Sequence, residues 1–435
     1  MENKTRTSAN SAPAGKLFGV YPQKQQGLYM QRVPILAGRL RAEQLRQLAD
    51  IAVEFAKSAP LHLTTRQDIE FHNIPEAHIT EVQERLTAMG LTTFGAGGDS
   101  VRNITVCPCC RFNSEALDTE PLAEQVQEAL NKSGLLEKLP RKFKISFAGC
   151  LEPQSKPYIN DLSFIATSAD TLRVIGAGSL GAQPEPGIVL FEHIGTAEVI
   201  QLILATIELF IEHGDRQNRQ KARLRHIRQR TGDEDFLKML NEYFIRKKNS
   251  RAWPKITLAN GQIGWRKAFT IQTIAGELNP EHAMILAKIV EEAKAHIRIN
   301  LHHGLELYAK ETLEIPSQLK PYTNLPKIVA CPGNTTCTNG LTNCQELAEQ
   351  LSKILKGSDR YKDKTIALSG CPNNCAHSCI ADIGLAGQIK TIDGHRQEVY
   401  KVMFDGGNGN NRQIAEVQQT LSDKAVIEWF KGDLI

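Results

Sequence analysis

The sequence CPGNTTC at residues 331–337 and the sequence GCPNNC at residues 370–375 place cysteines in two motifs near the C-terminal end of the chain. The motifs are a C-x5-C pair and a C-x3-C pair, formed by Cys331, Cys337, Cys371 and Cys375. Thiolates in sets of four hold either a zinc ion or an iron–sulfur cluster. Zinc sites mostly use short C-x2–4-C loops. The longer C-x5-C loop therefore favours a [4Fe–4S] cluster over a zinc ion, and over four cysteines that do not bind a common metal group.

The composition predicts a large protein of two or more domains that is neither secreted nor inserted in a membrane. The 435 residues are 41% hydrophobic and 23% charged, which suffices to bury a sizeable core. The most apolar stretch, residues 199–211, contains Glu208 and is too short to cross a bilayer. The polar N-terminus lacks the apolar segment of a signal peptide, so we expect a disordered tail over residues 1–24 and a cytoplasmic location. In a reducing compartment the ten cysteines are better interpreted as metal ligands or core thiols than as disulfides.

Charge is distributed unevenly along the chain. The formal net charge of +4 is too small to indicate nucleic-acid binding, but arginine and lysine recur through residues 216–230 beside His226. We favour a helix with a solvated basic face for this segment. The functional alternative is a positive wall that faces an acidic cofactor or an acidic electron-carrier protein. Few aromatic residues are interleaved for stacking on bases, which argues against RNA.

The chain contains a weak internal repeat. ILAGRL at residues 35–40 leads into an amphipathic helix and an alternating, strand-like segment, and TIAGEL at residues 273–278 does the same. Further on, TVCPCC is echoed by VACPGNTTC. ISFAGC followed by Asp161 is echoed by IALSGC followed by Asp382 at the same interval. Four echoes in one order predict a duplicated architecture.

The repeat assigns the metal cluster to the second copy. Cys107 and Cys150 correspond to two of the four C-terminal cysteines, but Asn113 and Gln154 stand at the positions of the other two. The C-x-C-C motif that begins at Cys107 has little room for three ligands on one small ion, so we interpret its cysteines as buried or reactive thiols. We interpret Cys379, which follows the second C-terminal motif, as a core thiol.

The first copy instead carries cations in or beside its predicted strands. A single cation at a strand end is ordinarily solvated. Several in one half, flanked by strand-forming residues, are expected to converge on a polyanion. These cations are Arg32, Arg66, Arg102, Arg141, Lys142 and Lys144.

The strings MQRVP, LHLTTRQDIEFH, SVRN, LPRKFK, C-x5-C and GCPNNC occur in the same order as in the sirohaem-dependent sulfite and nitrite reductases. The chain resembles that family from about residue 25 to about residue 400. The resemblance implies an α+β fold of two pseudo-symmetric halves, each with a ferredoxin-like segment and a larger mixed α/β sirohaem-binding domain. The implied boundaries are 25–90 and 260–315 for the ferredoxin-like segments, 95–250 for the first sirohaem- and substrate-binding domain, and 325–435 for the [4Fe–4S] and sirohaem domain.

The resemblance also implies an activity and a set of site residues. The activity is the six-electron reduction of sulfite to sulfide, or of nitrite to ammonia, at sirohaem coupled to a [4Fe–4S] cluster. The implied cluster ligands are Cys331, Cys337, Cys371 and Cys375, with Cys375 also bridging to the sirohaem iron. The implied oxyanion-binding residues are Arg32, Arg102, Lys142 and Lys144, and the implied sirohaem contacts are Thr64, Arg66 and Asn373. Sirohaem carries carboxylates around its ring, so its burial requires cations.

Two departures and two alternatives accompany the resemblance. The family often has Arg where this chain has His62, and Gln where it has Glu70, which changes the local charge.

One alternative is an enzyme similar to precorrin-3B synthase, which LPRKFK argues against. The other is a non-catalytic iron–sulfur or sirohaem-binding paralogue, which the retained cations argue against. We identify no dinucleotide-binding unit in which G-x-G-x-x-G joins a clear strand to a helix, so we expect a separate ferredoxin or flavoprotein to supply electrons.

Lys144 favours sulfite over nitrite. Nitrite reductases of the plant and cyanobacterial type typically have Asn at this position, whereas sulfite reductases keep Lys. Sulfite is largely dianionic near neutral pH and has three oxygens, while nitrite is a monoanion with two. An additional ammonium group in a partly dry pocket therefore favours sulfite, with nitrite as the alternative substrate.

Overall fold

The computed structural model describes residues 15–150, 153–250, 252–323, 325–392 and 394–432. The α-helices are, in chain order, α1 (Ala42–Phe55), α2 (Ile79–Ala88), α3 (Glu120–Lys132), α4 (Val199–His213), α5 (Leu224–Thr231), α6 (Asp233–Ser250), α7 (Pro280–Glu292), α8 (Cys344–Leu355) and α9 (Asp423–Lys431). The β-strands are, in chain order, β1 (Val20–Pro22), β2 (Leu28–Pro34), β3 (Arg39–Leu40), β4 (Leu61–Leu63), β5 (Asp68–Pro75), β6 (Thr105–Val106), β7 (Ile145–Ala148), β8 (Leu162–Ser168), β9 (Thr171–Gly176), β10 (Ile188–Gly195), β11 (Arg266–Gln272), β12 (Glu277–Leu278), β13 (His296–Ile299), β14 (Gly304–Ala309), β15 (Lys327–Ala330), β16 (Thr365–Ser369), β17 (Ile383–Ile392), β18 (His395–Phe404) and β19 (Glu416–Ser422). Within the described ranges, no helix has the length and apolar character needed to cross a membrane.

The N-terminal segment is ordered earlier than the sequence predicted. Of the tail expected over residues 1–24, residues 1–14 lie outside the described residues. The chain then forms a 3-10 helix at Lys16–Phe18, and β1 pairs antiparallel with β2, with Val20 opposite Gln31. The expectation of disorder is therefore wrong for the end of this segment, because Val20 is buried in the core.

Each half contains one ferredoxin-like unit in which two strands, a helix and two further strands follow one another. The first unit is β2, β3, α1, β4 and β5, and the second is β11, β12, α7, β13 and β14. In both units the fourth strand lies between the first and the third, giving the orders β2-β5-β4 and β11-β14-β13. The helix of each unit is amphipathic and buries one face; in α1 this face includes Leu45, Leu48 and Ile51. The α+β architecture predicted from the sequence is confirmed.

The short strand of each unit belongs to the sheet of the other unit. β3 pairs with β13, with Leu40 opposite Ile297, and β12 pairs with β4, with Leu278 opposite Leu61. Helix α1 packs against α7, and the two units share one hydrophobic core. This reciprocal exchange is the arrangement expected of two pseudo-symmetric halves that fold together.

The turns before α1 and α7 repeat an uncommon backbone conformation. Ala37 has a φ of 56° and Ala275 a φ of 53°, a left-handed conformation that few residues other than glycine adopt. A glycine with positive φ follows in each case, at Gly38 and Gly276. The two residues lie at matching positions of ILAGRL and TIAGEL. The duplication predicted from these strings therefore extends to the backbone.

The two larger sheets have identical topology. The strand orders are β6-β7-β8-β9-β10 and β15-β16-β17-β18-β19. In each sheet the first three strands are parallel to one another, and each of the last two is antiparallel to the strand before it. The Lys144 amide donates to Asp161 Oδ2 at 2.8 Å, and the Thr365 amide donates to Asp382 Oδ2 at 2.9 Å. The two aspartates occupy matching positions of the repeat, and each accepts a hydrogen bond from a backbone amide at or just before the start of the preceding parallel strand.

The loops at the carboxyl ends of β15 and β16 carry the two cysteine motifs, whereas Arg102 precedes β6 and Lys142 and Lys144 precede β7. Ligands commonly bind at the carboxyl ends of parallel strands, where loops of adjacent strands meet. One hydrophobic core packs α3, α4 and α6 against the first of these sheets, and a separate core packs α8 and α9 against the second. On this basis we propose 95–250 and 325–435 as the two larger domains.

Candidate active site

The four C-terminal cysteines follow two adjacent parallel strands. Strand β15 is parallel to β16; Cys331 comes directly after β15, and Cys371 follows β16. Burial and the charges of Cys375, Cys331 and Cys337 raise the pKa of Cys371 to about 11. Each thiol therefore lies within electrostatic reach of the others. An occupant with a compensating positive charge is required to hold them as thiolates.

The separation of these thiols suits a cluster rather than a single ion. Zinc binds thiolates at about 2.3 Å, which brings ligand sulfurs to roughly 4 Å from one another. In the part of the chain that the structure describes, no three of these four sulfurs all lie within 4.8 Å of one another. Thiolates at the corners of a cubane are further apart. The residues present therefore fit a [4Fe–4S] cluster.

Backbone amides are directed at the cysteine sulfurs. The Gly370 amide donates to Cys331 Sγ at 3.1 Å. Burial raises the pKa of the Cys337 thiol, and hydrogen bonds from the backbone amides of Asn339 and Gly340 oppose that rise. Such bonds stabilise thiolates and influence the reduction potential of iron–sulfur clusters. The loops are too close for larger residues, because a Cβ on Gly370 would lie 2.6 Å from the Cα of Gly333.

Arg32 and Arg102, which are distant in sequence, bind the same carbonyl group. Nη1 of Arg32 donates to the oxygen of Ala96 at 3.2 Å, and Nη1 of Arg102 donates to it at 2.7 Å. Although burial opposes ionisation, the charges of the two arginines lower the pKa of the nearby Tyr21 hydroxyl. The structure therefore brings together two of the four predicted oxyanion-binding residues.

The two lysines of LPRKFK extend this group of cations. Burial and the charges of Arg223 and Arg102 lower the pKa of Lys142 to about 7. Burial and the charges of Arg66 and Lys142 lower the pKa of Lys144 well below its ordinary value. Burial also lowers the pKa of Arg66 to about 10. Cations that suppress one another's charge indicate a pocket built for an anion.

Several guanidinium groups in this pocket have donors without acceptors. The Nε atoms of Arg66, Arg102 and Arg223 are buried and have no hydrogen-bond partner among the described residues. Leaving a buried donor unpaired costs about 1–3 kcal/mol, and more for a charged group. Three such donors in one pocket indicate that a bound molecule supplies oxygen acceptors. The carboxylates of sirohaem fit this requirement.

Arg32 differs from the other three predicted oxyanion-binding residues, which form no ion pair among the described residues, because it has a counter-ion. Its guanidinium contacts Glu70 Oε1 at 2.7 Å, and Glu70 also lies 3.4 Å from His72. His62 is directly opposite Glu70 in the sheet and contacts Glu277 at 3.0 Å. The two departures from the family pattern, His62 and Glu70, are therefore neighbours. Glu70 reduces the positive charge that Arg32 offers to an anion.

The loop between β4 and β5 is fixed by its own side chains. The Thr64 hydroxyl accepts hydrogen bonds from the amides of Arg66 and Asp68, at 3.2 and 3.0 Å. The Gln67 side chain donates to the carbonyl oxygen of Val106 at 3.0 Å and accepts from the amide of the same residue at 2.9 Å. Gln67 was missed as a positioning residue, although it belongs to the LTTRQ string. The loop aims Arg66 at Asn160 Oδ1, 3.0 Å away.

Cys375 lies where the cluster motif meets the cation pocket. Removal from bulk water raises the pKa of its thiol, while the charges of Lys142, Lys144 and Arg32 lower it. The Thr65 hydroxyl donates to the carbonyl oxygen of Cys375 at 3.3 Å. Residues of the first half therefore lie close to a cysteine of the second, although Cys375 is itself exposed. Asn373, two positions earlier, is exposed, and its predicted contact with sirohaem stays a prediction.

The favoured interpretation of residues 216–230 is wrong for the middle of the segment. Arg223, Arg225 and Arg228 are buried rather than solvated. Arg223 donates to the buried Asp161 at 2.7 Å, and its charge acts on both pocket lysines. Arg223 is therefore a further cation of the pocket. The alternative interpretation of this segment, a positive wall facing an acidic cofactor, was the signal that pointed to it.

Two protein-family models together match most of the chain. The family described as "Nitrite and sulphite reductase 4Fe-4S domain" matches residues 97–248 and 322–432. The family described as "Nitrite/Sulfite reductase ferredoxin-like half domain" matches residues 21–89. The chain belongs to the nitrite and sulfite reductase family. It is an oxidoreductase, and its cofactors are sirohaem and a [4Fe–4S] cluster.

Individual relatives include enzymes named for either substrate. The chain is 27% identical to a ferredoxin–nitrite reductase of Synechococcus elongatus, over 91% of this chain and 83% of that protein. It is 26% identical to a ferredoxin sulfite reductase of Mycobacterium tuberculosis, over 87% of this chain and 76% of that protein. The solved structure of the Mycobacterium tuberculosis NirA protein superposes with a TM-score of 0.78 at 23% identity. It covers 96% of this chain and 85% of that chain, and it has the same fold.

Proposed function

We propose that this enzyme reduces sulfite to sulfide, with nitrite reduction to ammonia as the alternative at the same centre. The observation that carries the proposal is the concentration of cations around Lys144, which include Arg66, Lys142 and Arg223. A dianion gains more from such a group than a monoanion, because the Coulomb energy scales with the charge of the ligand. Three sulfite oxygens also accept more hydrogen bonds than two nitrite oxygens.

The proposed site residues divide into three groups. Cys331, Cys337, Cys371 and Cys375 would hold the [4Fe–4S] cluster, and Cys375 would also contact sirohaem. Thr64, Arg66 and Asn373 contact sirohaem, and Arg223 is added to this group because its free Nε faces the same pocket. Arg32, Arg102, Lys142 and Lys144 hold the oxyanion. Among the last group we expect Arg32 to contribute least, because Glu70 already neutralises it.

The protein itself contributes charge, protons and geometry. When bound, the two cofactors supply the electrons and the redox-active iron. Arg102, Lys142 and Lys144 orient the oxyanion and offset the negative charge that accumulates as it is reduced. A lysine with a pKa of about 7 exchanges protons readily near neutral pH, so Lys142 is suited both to hold an oxygen and to protonate it.

We infer that a ferredoxin supplies the electrons. The relatives named as nitrite and sulfite reductases are described as ferredoxin-dependent. The sequence GAGSLG at residues 176–181 matches G-x-G-x-x-G, but it joins the antiparallel strands β9 and β10 and begins no helix, so it lacks the context of a dinucleotide-binding motif. A flavoprotein donor is the alternative, and a comparison of the two donors at equal reduction potential distinguishes them.

A single assay tests the proposed reaction. The purified holoenzyme is supplied with reduced viologen and with sulfite or nitrite, and sulfide and ammonia are quantified against electrons consumed. We expect sulfide to be the product formed with the higher efficiency. A protein that contains both cofactors but forms neither product is the non-catalytic paralogue. Efficient formation of ammonia alone assigns the enzyme to nitrite.

A further inference from the structure

Three cysteine sulfurs converge in the first half, far along the chain from the cluster motifs. The Sγ atoms of Cys107, Cys110 and Cys150 all lie within 4.8 Å of one another. Among the described residues, no other group of three or more His, Cys, Asp or Glu side chains comes together so closely. Cys107 directly follows β6 and Cys150 lies just beyond β7, the parallel neighbour of β6. The topology of the sheet therefore builds the triad.

A fourth sulfur adjoins the triad. The Cys109 thiol lies within hydrogen-bonding reach of Cys110 and Cys150. From the sequence alone, the C-x-C-C motif had too little room to bind one ion through Cys107, Cys109 and Cys110. The triad takes only Cys107 and Cys110 from that motif, and Cys150 after the next strand supplies the third ligand, so this restriction does not apply to it.

The surroundings of the triad are apolar, with Cys107 and Cys110 buried and Cys150 half-buried. Cys107 is 2% exposed and Cys110 is 1% exposed, and they form a small core with Ala116 and Ala148. The Gly149 amide is directed at Cys110 Sγ at 3.4 Å. Soft sulfur ligands, apolar surroundings and an amide aimed at sulfur are the features of a closed metal–thiolate site.

We propose that Cys107, Cys110 and Cys150 bind one Zn²⁺ ion through their three sulfurs. The sulfurs are compact enough for a single ion, whose thiolate ligands lie roughly 4 Å apart, unlike the wider C-terminal set. Zinc prefers tetrahedral thiolate coordination and undergoes no redox change. Each coordinating thiol releases a proton to solvent when zinc binds, and no oxidant or reductant is required.

The zinc site is the counterpart of the [4Fe–4S] cluster in the other half. The Gly149 amide points at Cys110 Sγ, and at the matching position the Gly370 amide points at Cys331 Sγ. The duplicated strand ends thus carry a redox cluster in one half and a structural ion in the other. The ion ties the loop after β6 to the end of β7.

This loop also connects the two halves. Phe112, two residues after Cys110, stacks on Tyr308 of β14 with ring centroids 4.3 Å apart. The charge of Cys109 acts on Tyr308 and on Glu306 of the same strand. A zinc ion that fixes this loop would therefore stabilise the contact between the first sirohaem-binding domain and the ferredoxin-like segment of the second half.

Elemental analysis of the holoenzyme tests the proposal. We expect about one zinc per chain beside the cofactor iron. In Cys107→Ser and Cys150→Ser the zinc content should fall at least about fivefold, while the ratio of iron to acid-labile sulfide is unchanged. Cys379→Ser, which alters a buried cysteine in a different core, should keep its zinc. Wild-type enzyme without zinc, or with copper or additional iron and sulfide in its place, contradicts the proposal.

A measurement on the wild-type enzyme covers the case in which the serine variants do not fold. The holoenzyme is alkylated before and after zinc is displaced with an organomercurial and the mercury is removed by excess thiol and chelator. Mass spectrometry then reports the label on each cysteine. We expect Cys107, Cys110 and Cys150 to be protected before zinc release and labelled after it. Equal labelling in both states, or a disulfide among these cysteines, overturns the assignment.

Discussion

Lys142 of the first half and Cys375 of the second half stabilise each other's charged forms. The ammonium group lowers the pKa of the thiol, and the thiolate raises the pKa of the lysine. Cys375 is a proposed ligand of the cluster, and Lys142 is a proposed oxyanion-binding residue. In this proposal the electron source of one half lies against the substrate site of the other. Neither half would then form a complete active site alone.

The first prediction concerns pH. Because the pKa of Lys142 is lowered to about 7, its ammonium charge is present below that pH and is lost above it. Sulfite affinity contributed by this charge therefore weakens as the pH rises through the pKa. Carboxylates of bound sirohaem shift the transition to higher pH without changing its direction. Lys142→Arg stays charged over this range, so its affinity for sulfite should not show this weakening with rising pH.

The measurement is the KM for sulfite from about pH 6 to about pH 9 in both proteins. Sulfite itself becomes dianionic over this range, so the difference between the two profiles isolates the lysine. We expect the wild-type KM to rise relative to that of the variant as the pH increases. Parallel profiles would show that Lys142 does not titrate against the substrate.

The second prediction separates Cys375 from Cys379. If the Cys375 thiolate joins the cluster to sirohaem, Cys375→Ser should lower kcat by about a hundredfold or more and change the visible spectrum. Cys379 is packed in a small core with Ile159 and Ile380. Cys379→Ser should therefore cost about 1–2 kcal/mol of stability and leave the spectrum intact. Equal loss of activity in both variants would refute the ligand assignment.

The third prediction concerns the pair of Arg32 and Glu70. Glu70→Gln removes the counter-ion of Arg32 and keeps a hydrogen-bonding side chain of the same size. The released charge should lower the KM for sulfite about threefold to tenfold, equivalent to roughly 1 kcal/mol. Glu54→Gln, which changes an exposed partner of Arg85, is the matched control and should leave the KM unchanged. An unchanged KM in Glu70→Gln would place Arg32 outside the anion site.

The fourth prediction concerns stability at the junction of the halves. Glu120 contacts Arg298 at 2.7 Å, and both side chains are almost fully buried. Glu120→Ala leaves the Arg298 guanidinium buried without its counter-ion, so it should destabilise the protein by about 3–5 kcal/mol. Glu124→Ala, which removes a partly exposed partner of Arg39, should cost about 0–1 kcal/mol. Chemical denaturation of the two variants under identical conditions provides the comparison.

The contacts explain why this carboxylate matters. Arg39 of β3 and Arg298 of β13 are paired across the strand exchange, and Glu120 at the start of α3 binds both. The carboxylate therefore ties the first sirohaem-binding domain to strands from both ferredoxin-like units. Similar denaturation midpoints for Glu120→Ala and Glu124→Ala would show that this link does not stabilise the junction.

The sequence predicted the duplication and the site motifs because both are local. Strings such as ILAGRL and LPRKFK keep their spacing whatever the chain does elsewhere, and helix and strand periodicity is visible within each segment. Cys331 and Cys371 were recognisable by motif before any contact between their strands was known. The cations of LPRKFK were recognisable in the same way.

Contacts between distant segments were the part that the sequence did not predict. Arg223 lies in a segment that resembles a solvated basic helix, and its role depends on Asp161, which reaches it only through tertiary structure. The convergence of Cys150 on Cys107 depends on the parallel pairing of β6 and β7. Burial decides these cases, and burial is a property of the assembled fold rather than of local pattern.

The ratio of kcat/KM for sulfite to kcat/KM for nitrite, measured with a common artificial donor in wild type and in Lys144→Asn, tests the central claim most directly. Lys132→Asn, on the exposed face of α3, is the matched control. We expect the wild type to prefer sulfite and Lys144→Asn to lower the ratio by roughly tenfold to a hundredfold, equivalent to about 1–3 kcal/mol. A wild type that prefers nitrite, or a Lys144→Asn variant with an unchanged ratio, would contradict the assignment of sulfite.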